Sequence, residues 1–95
     1  MIFIIDNLKF DTNKMELVSR RCQYNYESTT FFNCTVNYTG KNVKLFRSKK
    51  GNWLLTYETD YKICGVRLQE NDAKNLLIKY DVQMYEQIFG ELEEA

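Results

Sequence analysis

Apolar and polar positions alternate along VKLFRSKKGNWLLTY, from Val43 to Tyr57, in two runs on either side of Ser48-Lys49-Lys50-Gly51. Runs rich in Val, Leu, Phe, Trp and Tyr that flank a glycine-containing segment predict a β-hairpin. Gly51 is the one residue there that enters the left-handed region without steric penalty, so the connection should be a three-residue loop with a glycine bulge. In that register Arg47 lies opposite Trp53, Leu45 opposite Leu55 and Val43 opposite Tyr57 on one face, the core side. Phe46 with Leu54 and Lys44 with Thr56 share the other.

Before the hairpin the pattern is weaker. Ile2 to Ile5 is a short apolar run ending in Asp6-Asn7, Leu8-Lys9-Phe10 alternates, and Asp11-Thr12-Asn13 supplies turn residues, so a first strand and then a turn are expected. From Met15 to Arg21, Met15, Leu17 and Ser19 face one way and Glu16, Val18 and Arg20 the other, as in a partly exposed strand. A helical reading of Asn13 to Arg21 competes, but its apolar residues make no clean stripe. Between Cys22 and Lys41 the chain is rich in Tyr, Asn and Thr. Tyr24 and Tyr26 alternate, Phe31-Phe32 through Tyr38 suits a further strand, and breaks are expected at Glu27 to Thr30 and at Thr39 to Asn42. An edge hairpin and an ordered long loop both fit this stretch.

After the hairpin, Glu58-Thr59-Asp60 turns the chain into a last strand from Tyr61 to Leu68, in which Gly65 marks a bulge or a close backbone approach. Then the period changes. Ala73, Leu76, Leu77 and Tyr80 fall at i, i+3, i+4 and i+7, which predicts a helix over Glu70 to Tyr80, with Glu70 and Asp72 opposing the positive end of its dipole. Asp81 follows that helix and is placed to cap a second short one, with Val82, Tyr85 and Phe89 on one side and Gly90 as its stop. The expected fold is α+β: an antiparallel β-sheet of four to six strands with two short C-terminal helices packed on one face, in a single domain over residues 1–95.

Composition narrows the chemistry. Ninety-five residues support one modest core, and the aromatic share of 15% leans towards sheet. Proline is absent, which leaves turns to Gly, Asn and Asp. Thirteen basic residues balance thirteen acidic ones, so no overall field draws nucleic acid or membrane, and an electrostatic partner must be met by a local patch. The same balance argues against a phosphate mimic, which needs a large acidic excess; Glu91, Glu93 and Glu94 read as a solvated tail. Cys22, Cys34 and Cys64 are an odd number at wide spacing with no histidine beside them, which points to buried thiols in a reducing, cytoplasmic compartment rather than to disulfides or zinc. MIFIID lacks the basic region of a signal peptide, and no run approaches membrane-spanning length.

An enzyme is hard to build from this inventory. Without histidine, acid–base work falls to other groups, the nearest carboxylates, Glu58 and Asp60, suit a solvated turn, and four scattered glycines make no phosphate loop, so neither catalysis nor a cofactor is expected. The local concentration of charge is Lys41, Lys44, Arg47, Lys49 and Lys50, with no acid among them. It reads as a phosphate-contacting finger or a complement to an acidic protein surface, with Trp53 and Phe46 available for stacking or anchoring. It reads equally as an edge-strand device against aggregation, with Arg47 lying over Trp53 as a cation–π pair. Tyr24, Tyr26, Phe31, Phe32 and Tyr38 are a second candidate surface, either an interface or a sheet face under helices.

Four segments carry a resemblance. Phe10 to Leu17 follows an FDT-x-K-x-E-L pattern, Lys44 to Trp53 a K-L-[YF]-R-[ST]-x-K-G-x-[WF] pattern, Glu70 to Lys74 an E-x-x-A-K helix start and Tyr85 to Ala95 a Y-x-x-x-[FY]-G-E-x-E-E-A ending. In these the chain is similar to small proteins encoded by phages, plasmids and integrative elements of Gram-positive bacteria, some of which look like type II-A anti-CRISPR proteins. The Cys22 to Lys41 stretch lies outside the likeness, and Gln69 stands where Ser or Thr would cap the helix better. The resemblance implies a cofactor-free inhibitor that binds a CRISPR effector nuclease or its guide RNA in the bacterial host cell, through the basic hairpin and the tyrosine-rich segment. A small nucleic-acid-binding accessory of a mobile element and a homodimeric adaptor are the other readings. Lys41, Lys44, Arg47, Lys49, Lys50, Tyr24 and Tyr26 are the expected contact residues.

Overall fold

A computed structural model describes residues 1–29 and 32–95. The chain is α+β, with eight strands and two C-terminal helices among the described residues. The strands β1 (Ile2–Ile5) and β2 (Leu8–Asp11) form one hairpin and β4 (Asn25–Thr29) and β5 (Thr35–Thr39) another. Between them in sequence, β3 (Glu16–Ser19) joins β6 (Lys41–Arg47), β7 (Trp53–Glu58) and β8 (Ile63–Leu68) in a four-stranded antiparallel sheet of order β3-β6-β7-β8. The helices α1 (Glu70–Tyr80) and α2 (Val82–Phe89) follow.

The β6–β7 pairing has the register that the alternation predicts, with Arg47 opposite Trp53, Leu45 opposite Leu55, Phe46 opposite Leu54 and Lys44 opposite Thr56. It departs at one point. Between Lys41 and Lys44 the ladder shifts by a residue, Asn42 takes φ +48, and Lys41 comes to face Glu58, so the expected Val43–Tyr57 pair falls at the irregularity.

Both faces of the central sheet are covered. On one, Val43, Leu45, Trp53 and Leu55 pack with Val18 and Cys22 against Ala73 and Leu77 of α1, while Met84, Tyr85, Ile88 and Phe89 of α2 close the layer. On the other, Phe46 and Leu54 pack against Phe10, with Phe3, Ile5 and Met15 around them. This second face is covered by the N-terminal hairpin, whose turn is Asp6-Asn7. Both turn residues take positive φ, +52 and +62, as a two-residue hairpin turn of the primed kind requires. Where one strand and then a turn were expected, this segment makes two paired strands, because Asp and Asn tolerate the left-handed region well enough to turn the chain without a glycine. Gly65 is the close approach: a Cβ there would stand 2.7 Å from the Phe3 ring.

Two details of the core were not expected. In β3, Leu17 faces Phe46 and Ser19 faces Leu45, so Val18 is an extra residue and Val18 and Ser19 are both buried instead of alternating. The buried Ser19 hydroxyl donates to Oδ2 of buried Asp81 at 2.7 Å and accepts from the Arg21 amide at 3.1 Å. Asp81 does join the helices, its amide donating to the Leu77 carbonyl and its carbonyl accepting from the Tyr85 amide. Its side chain, however, makes no cap bond to α2; it ties the interhelical corner to β3. Val82 is correspondingly exposed, and the stripe that α2 packs against the core is the half-buried set Met84, Tyr85, Ile88 and Phe89. No helix among the described residues is long and apolar enough to cross a membrane.

Two stability changes follow. Ser19→Ala removes a donor from a buried carboxylate and should cost about 1.5–3 kcal/mol by urea denaturation. At the start of α1, Gln69 has cap geometry, φ −74 and ψ 157, but no side-chain cap bond. Gln69→Ser should therefore stabilise the chain by about 0.5–1 kcal/mol, read as a rise of a few degrees in Tm.

Candidate partner-binding surface

The tip of the β6–β7 hairpin has the predicted three-residue loop. The Ser48 amide donates to the Asn52 carbonyl at 2.8 Å, the Gly51 amide donates to the Ser48 carbonyl at 3.0 Å, and Gly51 sits at φ +84. The Ser48 hydroxyl accepts from the Asn52 amide at 3.0 Å and ties the loop further. Beside this tip runs an open groove of about 1220 Å³. One wall is the segment 47–52, the other the segment 8–16 of the N-terminal hairpin and the short 3-10 turn Thr12–Lys14 that follows it.

The five cations expected to act together are separated. Lys41, at the far end of β6, is ion-paired with Asp60, whose hydrogen bond and charge push the lysine above its ordinary pKa as Lys41 pulls the carboxyl below its own. Lys44 is half-buried and shares a face with Phe46, opposite to the face of Arg47. The Arg47 guanidinium lies 5.7 Å from the Trp53 ring centroid and bonds Glu16 at 3.1 Å, which is the cation–π arrangement open at the outset. Lys49 and Lys50 are exposed at the tip and line the groove. Lys9 and Lys14, which sequence reasoning did not single out, face them from the other wall and are also exposed. They lie more than thirty residues from Lys49 in sequence, and the packing of Phe10 on Phe46 and Leu54, with the pairing of Glu16 and Arg47, brings them to the tip. Trp53 and Phe46 do not present rings to a partner: they are 2% and 9% exposed.

The tyrosines meet at the opposite end of the hairpin. Tyr57 of β7 stacks with Tyr24 at 4.9 Å and with Tyr26 at 5.1 Å between ring centroids, and Tyr26 stacks with Tyr38 at 5.5 Å. Gly40 permits this, since a Cβ there would stand 2.8 Å from the Tyr57 Cβ, and its amide donates to the Tyr24 carbonyl at 2.8 Å. Within the Cys22 to Lys41 stretch, β4 and β5 therefore pair as a hairpin rooted on stacked tyrosines, a two-stranded sheet of its own and not an edge of the central sheet. Glu27 to Thr29, expected as a break, continues β4, and Lys41 already belongs to β6. Thr30 and Phe31 lie outside the described residues, so the break and the surface aromatic expected there are not placed. Phe32 is exposed.

Cys22 is buried and burial pushes its thiol up, as expected of a packing residue, whereas Cys34 is exposed and Cys64 half-buried. Cys34 follows an exposed turn, its Sγ donating to the Phe32 carbonyl at 3.8 Å, contrary to the burial expected for all three. Glu58 faces Lys41 across the ladder and Asp60 pairs with the same lysine. No group of His, Cys, Asp or Glu among the described residues is arranged to hold a metal ion. No protein-family model matches the chain, and no similar curated protein or solved structure was found.

The Tyr57 hydroxyl is pushed from 10.0 up to about 12, first by burial and then by its hydrogen bond to Cys64. A raised folded-state pKa means that the unfolded chain ionises first, so the stability held below pH 10 is lost as pH rises towards 12. The urea midpoint should fall across that window, and the fall should be smaller in Tyr57→Phe.

Proposed function

We propose that this protein is a stoichiometric inhibitor of a type II-A RNA-guided nuclease, carried by a phage or other mobile element and acting in the bacterial cytoplasm. It binds the effector or its guide RNA and turns over no substrate. The resemblance in the four segments supplies the target. One observation supports the use of this surface: two of those segments, Phe10 to Leu17 and Lys44 to Trp53, contribute the two walls of one groove. Residues distant in sequence, sharing a pattern and meeting at an exposed charged surface, fit a contact site better than a core, because the core contacts of Leu45 and Phe46 need no lysines at the tip.

The stacked tyrosines are assigned to carrying the β4–β5 hairpin, and Tyr24 and Tyr26 contact the partner only through it. Lys41 and Arg47 act by holding the ends of the central hairpin, through Asp60 and Glu16, rather than by meeting a partner as free charges.

The test is cleavage of a target DNA by a panel of type II-A effectors, with the protein added once before and once after guide RNA. Loss of cleavage near one equivalent is expected, and the double variant Lys49→Glu, Lys50→Glu should abolish it without changing Tm. Inhibition only before the guide would assign the contact to assembly; inhibition in either order would assign it to the finished complex. Unimpaired cleavage across the panel, or full inhibition by the folded double variant, would overturn the proposal.

A further inference from the structure

We infer that the groove between the hairpin tip and the N-terminal hairpin grips the phosphate backbone of duplex nucleic acid and does not read or stack its bases. The inference rests on the reading of this groove as the contact surface and names what that surface holds.

Charge comes first. The groove is lined by Lys9, Lys14, Lys49, Lys50 and Arg47 against two carboxylates. Glu16 is already bonded to Arg47, and Asp11 accepts from the Asn13 amide at 3.1 Å. The four lysines form no ion pair among the described residues, so a chain with no net charge carries at this end a concentrated positive field. Asn13 and Asn52 add side-chain amides of the kind that donate to phosphate and sugar oxygens.

The same lining argues against the other occupants. Proteins that hold single strands stack successive bases on exposed aromatic rings. Here Phe10, the aromatic residue of the groove, is 3% exposed, and the neighbouring Trp53 is covered by α2 and by Arg47. The planar guanidinium suited to a base edge or a carboxylate is engaged by Glu16. Protein interfaces are centred on buried aromatic or arginine anchors and are depleted in lysine. Apart from buried Phe10, the apolar lining here is Leu8 and half-buried Met15, with lysines around it. Mobile point charges on two walls of an open cleft suit a backbone that presents phosphates at regular intervals whatever the sequence. Apart from its chain neighbours, nothing lies within 4 Å of the position a Cβ at Gly51 would occupy, so no other element covers that residue of the tip.

The experiment is fluorescence anisotropy with a short labelled DNA duplex of scrambled sequence, a matching RNA duplex, the corresponding single strand and an acidic peptide, without any nuclease. Binding to duplexes irrespective of sequence is expected, weaker for the single strand and absent for the peptide. With up to four phosphates neutralised, log affinity should fall against log salt with a slope of roughly −3 to −4, about a hundredfold for a fourfold rise in salt. Lys9→Gln and Lys14→Gln should each lower that slope by about one unit, while Lys62→Gln, an exposed lysine outside the groove, should leave it unchanged. Lys9→Ala and Lys14→Ala, with circular dichroism, separate lost binding from lost fold. No duplex binding at low salt, equal loss from Lys62→Gln, tighter binding of the single strand, or tighter binding of the peptide would each overturn the inference. Duplex binding with these slopes but no inhibition of any nuclease would leave the inference standing and remove the inhibitor reading.

Discussion

The structure depends on burying both faces of one β-hairpin. Leu45, Leu54 and Leu55 are fully buried, and their cross-strand partners assign Leu45 with Leu55 to the helix face and Phe46 with Leu54 to the face of the N-terminal hairpin. A slip of one residue would exchange the two sets and present each to the wrong cover. Truncating a buried leucine costs about 2–5 kcal/mol, a large part of the roughly 5–15 kcal/mol by which a domain of this kind is stable, so register and stability are one constraint. The glycine bulge at the tip and the ladder shift at Asn42 bracket the central pairing and leave four consecutive residue pairs, Lys44 to Arg47, in strict alternation.

That constraint also positions the surfaces. Because Phe10 must cover Phe46 and Leu54, the segment following it is delivered to the hairpin tip, and Lys14 arrives there by the same packing that completes the second layer. Because Tyr57 stands at the other end of β7, the stacked tyrosines and the β4–β5 hairpin are fixed about 20 Å away, at roughly 3.3 Å per strand residue. The two candidate surfaces are thus opposite ends of one rigid element.

Much of this was legible in the sequence, and the exceptions share a cause. The register of the central hairpin, the glycine loop and the bounds of α1 are local consequences of period or of side-chain size. What stayed hidden depends on partners distant in sequence. Alternation alone could not show that Val18 and Ser19 are both inward, since the bulge exists to bring Ser19 to Asp81, sixty-two residues away. Nor could it show the first hairpin, because Asp6-Asn7 turns the chain without the glycine that usually announces such a turn. For the site, Lys49 and Lys50 were legible as an exposed tip, whereas Lys9 and Lys14 belonged to an unremarkable strand and turn until packing placed them opposite.

The cluster of five cations shows why density along the chain is a poor measure of a charged surface. A strand alternates its side chains, so Lys44 and Arg47, three residues apart, point to opposite faces, and Lys41 stands far enough along to find Asp60. Arg47 has its charge answered by Glu16 and its stem laid on Trp53, and this arrangement closes the end of the core where the aromatic ring would otherwise meet water. What remains after these engagements is a different set, drawn half from the central hairpin and half from the N-terminal hairpin and the 3-10 turn after it, which sequence spacing separates and the fold unites. An electrostatic field depends on that spatial set and not on its order along the chain, so local lysine density matched the lysines of the groove only where a turn, rather than a strand, carried it.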